Sequence, residues 1–392
     1  VQAKTRSNAN FLMQGCTTVV TGNCGSGPVD VGAYYKKIDT DGAGTNVLHL
    51  LPHGSLRSQV MKGDKNRPPS PEELTKMREL ADRAMLEGAC GMATGLIYTP
   101  GSFSKTDELV AIAEIISKHG GIYASHIRNE GSQLLESIDE ILKIGREAKL
   151  PVHVSHIKVS GGSKGGGAPE AIKKLRAARD SGQRVTADQY PYTASSTSLS
   201  ATLIPDEYRS WEKLEAGLKD PEKGARLKSR IENALKERED GATVMIASFS
   251  PQREWQGKRL AQIAKDTNQS PSDITLDVMK RGGAQIVAFG MQEDEVRLFM
   301  REPWVATASD GSTQPLDSPA QPHPRAFGTF PRKIGWYSID GKIIPLHHAI
   351  YSSSGLPADV LSLTDRGRLK AGNFADVVVF DPATFRDVAT YD

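Results

Sequence analysis

Apolar and polar positions alternate along this chain in two different periods. "PVHVSHIKVSG" (151–161) places Val152 and Val154 on one side of an extended chain, then breaks into His156, Lys158 and Gly161. "GIYASHIRNEG" does the same and ends its apolar run on His126. Similar runs occur in "TTVVTGNCG", "NVLHLLPHG", "GMATGL", "VTADQYP" and "WVATASDG". Between them the period changes to that of a helix. "SPEELTKMRELADRAMLEG" carries Ser70 as N-cap, Pro71 in the first turn and Glu73 at the capping-box position. "TDELVAIAEIISKHGG" is a helix ended by glycine, and "LLESIDEILKIGREAKL" and "APEAIKKLRAARDSG" are two more. Strands alternating with helices of this length predict parallel βα units.

Seven strand runs are clear, and "QIVAFGM" is ambiguous. It is either the eighth strand or part of an excursion, with the true first strand lying before Val1. The strands end on Cys24, His126, His156, Asp188 and Asp310. A closed (β/α)₈ barrel gathers its catalytic groups at the C-terminal ends of its strands. An open doubly wound sheet also binds ligands at strand ends, but does not bring so many strands to one point. The expected fold is therefore α/β, a TIM barrel. Residues 1–363 form the catalytic domain, with a charged, mostly helical insertion at about 200–285. The closing stretch "DRGRLKAGNFADVVVFDPATF" reads as a strand at "VVVF" between turns at Gly367 and Gly372, so 364–392 is expected to be part of a small β module.

Composition narrows the function classes. The chain has 392 residues, 38% hydrophobic and 24% charged, with net charge +2, enough for one large domain and a smaller module. Interspersed charges of nearly equal number give no case for nucleic acid or an acidic partner. No apolar run reaches membrane-spanning length. Three cysteines, an odd and sparse set, argue against a disulfide framework and suit the cytoplasm. The chain begins at Val1 inside organised sequence, so an upstream piece is expected, which keeps a periplasmic or secreted location open.

The candidate chemistry sits at the strand ends. Taken singly, Cys24 in "GNCGSG" reads as a buried inert thiol, and His126 and His156 as hydrogen-bonded structural histidines. Taken together with Asp310, they are a thiolate, two imidazoles and a carboxylate, the donor set that zinc prefers, with a position left for water. Asp310 in "TASDGS" is either a turn residue or a general base beside activated water. His153 points to the opposite face from His156 and is assigned to packing or to support of the site. His49 and His53 read as structural or substrate-side groups. Lys158 shares a side with His156 and is either a solvated lysine or the partner of a substrate carboxylate. Tyr98, Tyr190 and Tyr192 are candidate aromatic walls or hydrogen-bond donors. "SGGSKGGGAPE" lacks the Gly-Lys-Ser/Thr ending of a phosphate loop and is expected to be a lid.

Long motifs carry a resemblance. "QGCTTVVTGNCG", "MATGLIYTPGSFSKT", "GGIYASHIRNEG", "PVHVSHIKVSG", "ADQYPYTASSTSL", "FGTFPR" and "GRLKAGNFADVVVFDP" resemble the N-acyl-D-amino-acid deacylases (D-aminoacylases) of the amidohydrolase superfamily, over nearly the whole chain. The resemblance implies a (β/α)₈ barrel with a small β-sandwich module and one tightly held zinc. It matches Cys24, His126 and His156 to the tight-site ligands and Asp310 to the catalytic aspartate. Lys158 and Tyr98 match residues that bind the substrate carboxylate, and Met291 lies at a position near the substrate. The implied reaction is hydrolysis of an N-acyl-D-amino acid, a small-molecule substrate, to a carboxylate and a free D-amino acid. The family also carries an His-x-His pair on the first barrel strand, just upstream of the region matching "AKTRSNANFLMQGCTT". This chain has no such pair. The pair and its strand are expected to precede Val1, leaving the weaker second metal site without its histidines, and "QIVAFGM" then belongs to the excursion. Two alternatives remain. A cyclic-amide hydrolase such as a dihydroorotase or hydantoinase would carry a carboxylated lysine bridging two metals, and "MATGL" offers none. A non-catalytic zinc-binding barrel would explain the missing pair, but not the survival of Cys24, His126, His156 and Asp310 together.

Overall fold

The computed structural model describes residues 5–161, 167–315 and 320–391. Strand β1 (Thr18–Thr21) pairs in parallel with β2 (Asn46–His49), Thr21 opposite His49. After Leu50 alone, β3 (Leu51–Pro52) continues the same chain direction and pairs with β4 (Gly91–Gly95). The ladder passes across this break: Leu50 N donates to Thr21 O at 2.9 Å and Cys90 N to His49 O at 3.0 Å. From β4 the parallel sheet runs on through β5 (Ile122–His126), β6 (Val152–Val154) and β7 (Val185–Gln189).

The chain then leaves the sheet. Strands β8 (Ala194–Ser198), β9 (Val244–Ser248) and β10 (Gln285–Phe289) form an antiparallel sheet of order β8-β10-β9. Helices on one face enclose a core of their own, with Leu199, Ile231, Val244, Ile246, Leu260, Ile274, Val278 and Ile286 all fully buried. "QIVAFGM" is thus a strand of this excursion and not an eighth parallel strand. The chain returns in β11 (Val305–Thr307), which pairs with β7 and completes a six-stranded parallel sheet, β11-β7-β6-β5-β4-β3.

In the six-stranded sheet the strands are buried on both faces, as β4 and β5 show at every residue, because crossover helices cover such sheets, whereas β1 and β2 stay mostly half-buried. Helices Thr106–Lys118 and Leu134–Glu147 supply Leu109, Ile112, Ile116, Ile138, Ile141 and Ile144 to the main core. Each such side chain contributes about 1.5–3 kcal/mol on burial. The helix Pro71–Leu86 has the expected capping box, Glu73 N to Ser70 Oγ at 3.2 Å and Ser70 N to Glu73 Oε2 at 2.8 Å. Residues 162–166, the centre of the expected lid, lie outside the described residues.

One expected element does not form. "VVVF" (377–380) is no strand, and Val377, Val378 and Val379 are 55%, 47% and 91% exposed. A strand exists only in a ladder, and no described segment pairs with this one. Its β-prone composition alone does not hold it in a sheet. No helix among the described residues is long and apolar enough to cross a membrane.

Candidate metal centre

The parallel register sets the three strand ends side by side. In β4 and β5, Gly95 is opposite His126, and in β5 and β6, Ser125 is opposite Val154. His126 closes β5, while His156 lies two residues past β6 with φ +40°. Cys24 follows β1 with φ +55°. Two glycines keep it there. A Cβ on Gly95 would lie 2.2 Å from Cys24 O, and one on Gly25 2.9 Å from Gly95 N, so the β1 and β4 loops meet only as bare backbone.

Cys24 Sγ stands 3.3 Å from His156 Nε2 and 4.0 Å from His126 Nδ1. The three donor atoms lie within 4.8 Å of one another, forming a candidate metal-binding triad. A tetrahedral zinc, with bonds of about 2.3 Å to sulfur and about 2.0–2.1 Å to nitrogen, sets those ligands about 3.6 Å apart. The two sulfur–nitrogen distances bracket that value. The donor set and its spacing therefore fit one zinc ion.

Behind the triad is a charged layer that partners His156 directly and leaves the buried His126 Nε2 without a hydrogen bond among the described residues. Glu130 Oε1 is 3.2 Å from His156 Nδ1, and Oε2 is 3.7 Å from His126 Nε2, the nitrogens turned away from Cys24. Lys158 Nζ donates to Glu130 Oε1 at 2.5 Å and to His156 O at 2.8 Å, and also lies 2.8 Å from His156 Nδ1. Asp188 Oδ1 accepts from His156 N at 2.5 Å, and its Oδ2 meets His153 Nε2 at 2.8 Å. Asp188 thereby holds the left-handed backbone of His156, and His153, itself anchored to Thr186 Oγ1 at 2.8 Å, holds Asp188. Burial keeps His126 well below the ordinary imidazole range, against the pull of Glu130. Burial and Lys158 also press His156 down, but the negative charges of Asp310 and Cys24 prevail and raise it to about 10. A divalent cation competes with that proton for the same lone pair. Burial raises Glu130, yet Lys158 and the two imidazoles outweigh it and hold the carboxyl far below its usual range.

Asp310, with φ +48°, is the third non-glycine residue of this cluster in the left-handed region. Its Oδ2 is 2.6 Å from Arg325 Nη1, a guanidinium only 7% exposed in its side chain. Arg325 also donates to Ser196 O at 3.2 Å and covers the ring of Tyr190 at 4.6 Å. The Tyr190 hydroxyl is buried without a hydrogen-bond partner among the described residues, and burial raises its pKa. Met291 packs in the same cluster as Tyr190 and Tyr192. Tyr98 lays its ring 5.1 Å from that of His126, and its hydroxyl reaches Thr197 Oγ1 at 2.9 Å.

Other candidates fall away from the triad. His49 is buried between Thr21 Oγ1 at 2.8 Å and Pro28 O at 2.9 Å. His53 faces Glu108 Oε1 at 3.0 Å, which Arg57 Nε also contacts at 2.9 Å. Both are structural. Tyr192 hydrogen-bonds Asp387 Oδ2 at 2.8 Å. Lys158 is 4% exposed and ion-paired, so it is no solvated surface lysine. The sequence reading missed Glu130 and Arg325. An acid four residues past a strand-end histidine was a usable signal for Glu130. Nothing in "PHPRAFG" marks Arg325, which arrives through the fold.

A model of the amidohydrolase family matches residues 250–392. The D-aminoacylase of Alcaligenes xylosoxydans xylosoxydans is 33% identical over 404 residues, spanning 97% of this chain and 75% of that protein. A D-aminoacylase crystal structure, described as defining a novel subset of amidohydrolases, matches with TM-score 0.81 and 32% identity, covering 99% of this chain and 78% of the other. An N-acyl-D-glutamate deacylase from Bordetella bronchiseptica, solved with zinc and a phosphonate mimic of the tetrahedral intermediate, gives TM-score 0.83 and 30% identity over 99% of this chain and 77% of its own. Identity of this order over nearly the full chain, on the same fold, means that this chain belongs to the D-aminoacylase (N-acyl-D-amino-acid deacylase) family of the amidohydrolase superfamily.

Proposed function

We propose that the chain hydrolyses the amide bond of N-acyl-D-amino acids, using one zinc ion held by Cys24, His126 and His156. The observation that carries this reading is the convergence of one thiol and two imidazoles, Cys24, His126 and His156, with donor atoms within 4.8 Å of one another. When bound, zinc supplies Lewis acidity that polarises the scissile carbonyl and makes water a nucleophile near neutral pH. The protein's own groups do the rest. Asp310 accepts the proton of the attacking water and returns it to the departing nitrogen, so water's oxygen ends on the acyl carbon and its proton on the amine. Arg325 holds Asp310 in place through their ion pair. Lys158, Arg325 and Tyr190 lie together and offer two cations and a phenol to the substrate carboxylate, while Tyr98, matched by resemblance to the carboxylate, stands against His126 and is assigned to the amide and acyl side. Lys158 already has a partner in Glu130, so the substrate carboxylate shares that ammonium or draws it from His156 Nδ1.

The same reading extends to the fold. We propose a closed (β/α)₈ barrel with one further parallel strand between β1 and β11, and residues 1–363 as the catalytic domain. Its support is that β1 and β11 each keep one edge unpaired among the described residues. The chain also ties the two sides together: Thr5 Oγ1 meets Thr313 Oγ1 at 2.9 Å, and Asn10 Nδ2 donates to Ala326 O at 2.8 Å. The exposed valines 377–379 would join a small β module with a partner strand.

The test combines metal content by mass spectrometry with release of amine from N-acetyl-D-methionine and its L-enantiomer. We expect about one zinc per chain, lost in Cys24→Ala, with turnover of the D-enantiomer alone. Asp310→Asn is expected to keep its zinc and lose hydrolysis by about 10²–10⁴-fold. A folded wild type without zinc, or zinc with no D-selective release, refutes the reading.

A further inference from the structure

A cavity of about 400 Å³ opens beside Cys24. Its walls are bare backbone at Gly25, Gly54 and Gly95, with the apolar Pro100 and the polar side chains of Ser26, Ser55, Ser58, Gln59 and Thr99 beside Tyr98. Apart from Cys24 itself, none of the described residues lining it carries a charge. Ser55 Oγ accepts from Gly27 N at 3.1 Å. The side chains of Ser26, Ser58, Gln59 and Thr99 make no hydrogen bond with described residues, so their donors and acceptors remain available to a ligand.

Strand order says which part of a substrate reaches this cavity. The cavity lies over the ends of β1, β3 and β4. The cations proposed for the substrate carboxylate lie over β6, and beyond β11 beside Asp310. The triad stands between, contributed by the loops after β1 and β6 and by the end of β5. In an N-acyl amino acid the carboxylate and the acyl group sit on opposite sides of the scissile amide. With the carboxylate at Lys158 and Arg325 and the amide at the triad, the acyl group points past Cys24 into the cavity. The amino-acid side chain branches next to the carboxylate and stays at the other end, near Met291.

We propose that this cavity is the acyl subsite, and that it takes neutral acyl groups larger than acetyl that carry hydrogen-bonding atoms of their own, such as an N-acylated aminoacyl group. The inference rests on the deacylase reading above. Acetyl, with two carbons, fills little of a space in the range of small-molecule pockets. A long aliphatic chain would displace water from these hydroxyls and the Gln59 amide without replacing its hydrogen bonds, which costs free energy. An acidic acyl group would find no cation among the lining residues.

The test separates binding from turnover. Dissociation constants are measured on zinc-loaded Asp310→Asn for N-acetyl-, N-hexanoyl- and N-(N-acetylglycyl)-D-methionine, and turnover is measured on the wild type. We expect the acetylglycyl compound to bind about tenfold more tightly than the acetyl one, the gain of one or two hydrogen bonds, and more tightly than the hexanoyl one. Adding Gln59→Leu, at an exposed position, should shrink the acetylglycyl advantage over hexanoyl, and Ser58→Phe should lower the acetylglycyl-to-acetyl ratio. Equal affinities, a preference for hexanoyl, or ratios that neither substitution moves overturn the proposal. Turnover without the preference leaves the deacylase reading standing and removes the subsite. The preference without turnover keeps the subsite and removes the hydrolase.

Discussion

Glu130 meets His156 directly, 3.2 Å from Nδ1, and acts on His126 only through its charge, 3.7 Å from an Nε2 that makes no hydrogen bond among the described residues. A histidine that binds a metal through one nitrogen needs an acceptor at the other to fix its tautomer and its ring plane. Glu130→Gln keeps the shape but removes the charge, and turns one acceptor oxygen into a donor. It is therefore expected to weaken zinc binding about 10- to 100-fold, read by competition with a chromogenic chelator. An unchanged affinity would show that Glu130 only neutralises Lys158. The site was legible in the sequence only in part. Cys24, His126, His156 and Asp310 were readable because each interrupts or follows a strand where a core would continue with apolar residues. Three of them, Cys24, His156 and Asp310, also have positive φ, an unfavourable conformation for side-chain-bearing residues that concentrates at functional sites. Glu130 and Arg325 sit in segments with no periodicity, and only tertiary structure brings Arg325 beside Asp310.

At the scale of elements, every parallel strand was visible as an apolar run with a polar end, and in the six-stranded sheet burial on both faces leaves few alternatives. What failed was the reading of "VVVF", since pairing depends on a partner that local sequence does not reveal. The break at Leu50 between β2 and β3 was equally invisible, as it arises from how two neighbouring strands share one segment. The helix His53–Val60 shows how an element near the site is fixed by charge. Arg57, fully buried, contacts Glu108 Oε1 at 2.9 Å and donates to Lys65 O at 2.6 Å, Arg67 O at 2.5 Å and Pro100 O at 3.4 Å. It thus joins its own helix to the helix Thr106–Lys118 and to the loop carrying Tyr98. Burial works against the Glu108 carboxylate, but His53 and Arg57 hold it ionised, lowering its pKa. Removing one partner of a buried pair strands the other, so Glu108→Ala is expected to cost about 3–5 kcal/mol. Urea denaturation checks this, and a midpoint equal to wild type would mean that water replaces the carboxylate at no cost.

Over the whole molecule, stability and pH are linked through groups that lie far from the site. Lys333 is 1% exposed, in the segment Arg332–Asp340, and burial lowers its amine from the usual 10.5 to about 7. Its charge in turn acts on His348, which burial and Lys333 together push down. The direction of the linkage follows from which state binds the proton. Above 10.5 the amine is neutral whether the chain is folded or not. Between 10.5 and 7 the unfolded chain takes up a proton that the folded one refuses, so this group's contribution favours unfolding more as pH falls. Below 7 both states are charged and the contribution is constant. The full gap corresponds to a ceiling of roughly 4–5 kcal/mol. Other groups act in the opposite sense at high pH: partial burial lifts the thiols of Cys16 and Cys90 from 9.0 to about 12, so their unfolded forms ionise first and stability falls as pH rises. The wild-type curve alone therefore mixes both effects, and the informative quantity is its difference from Lys333→Met, which fits the same length of apolar stem. The Lys333→Met variant is expected to be the more stable chain at pH 7, with its advantage shrinking steadily as pH rises from 7 to 10 in matched urea titrations. A difference independent of pH over that range would mean that Lys333 keeps its proton in the fold, held by water reaching the ammonium.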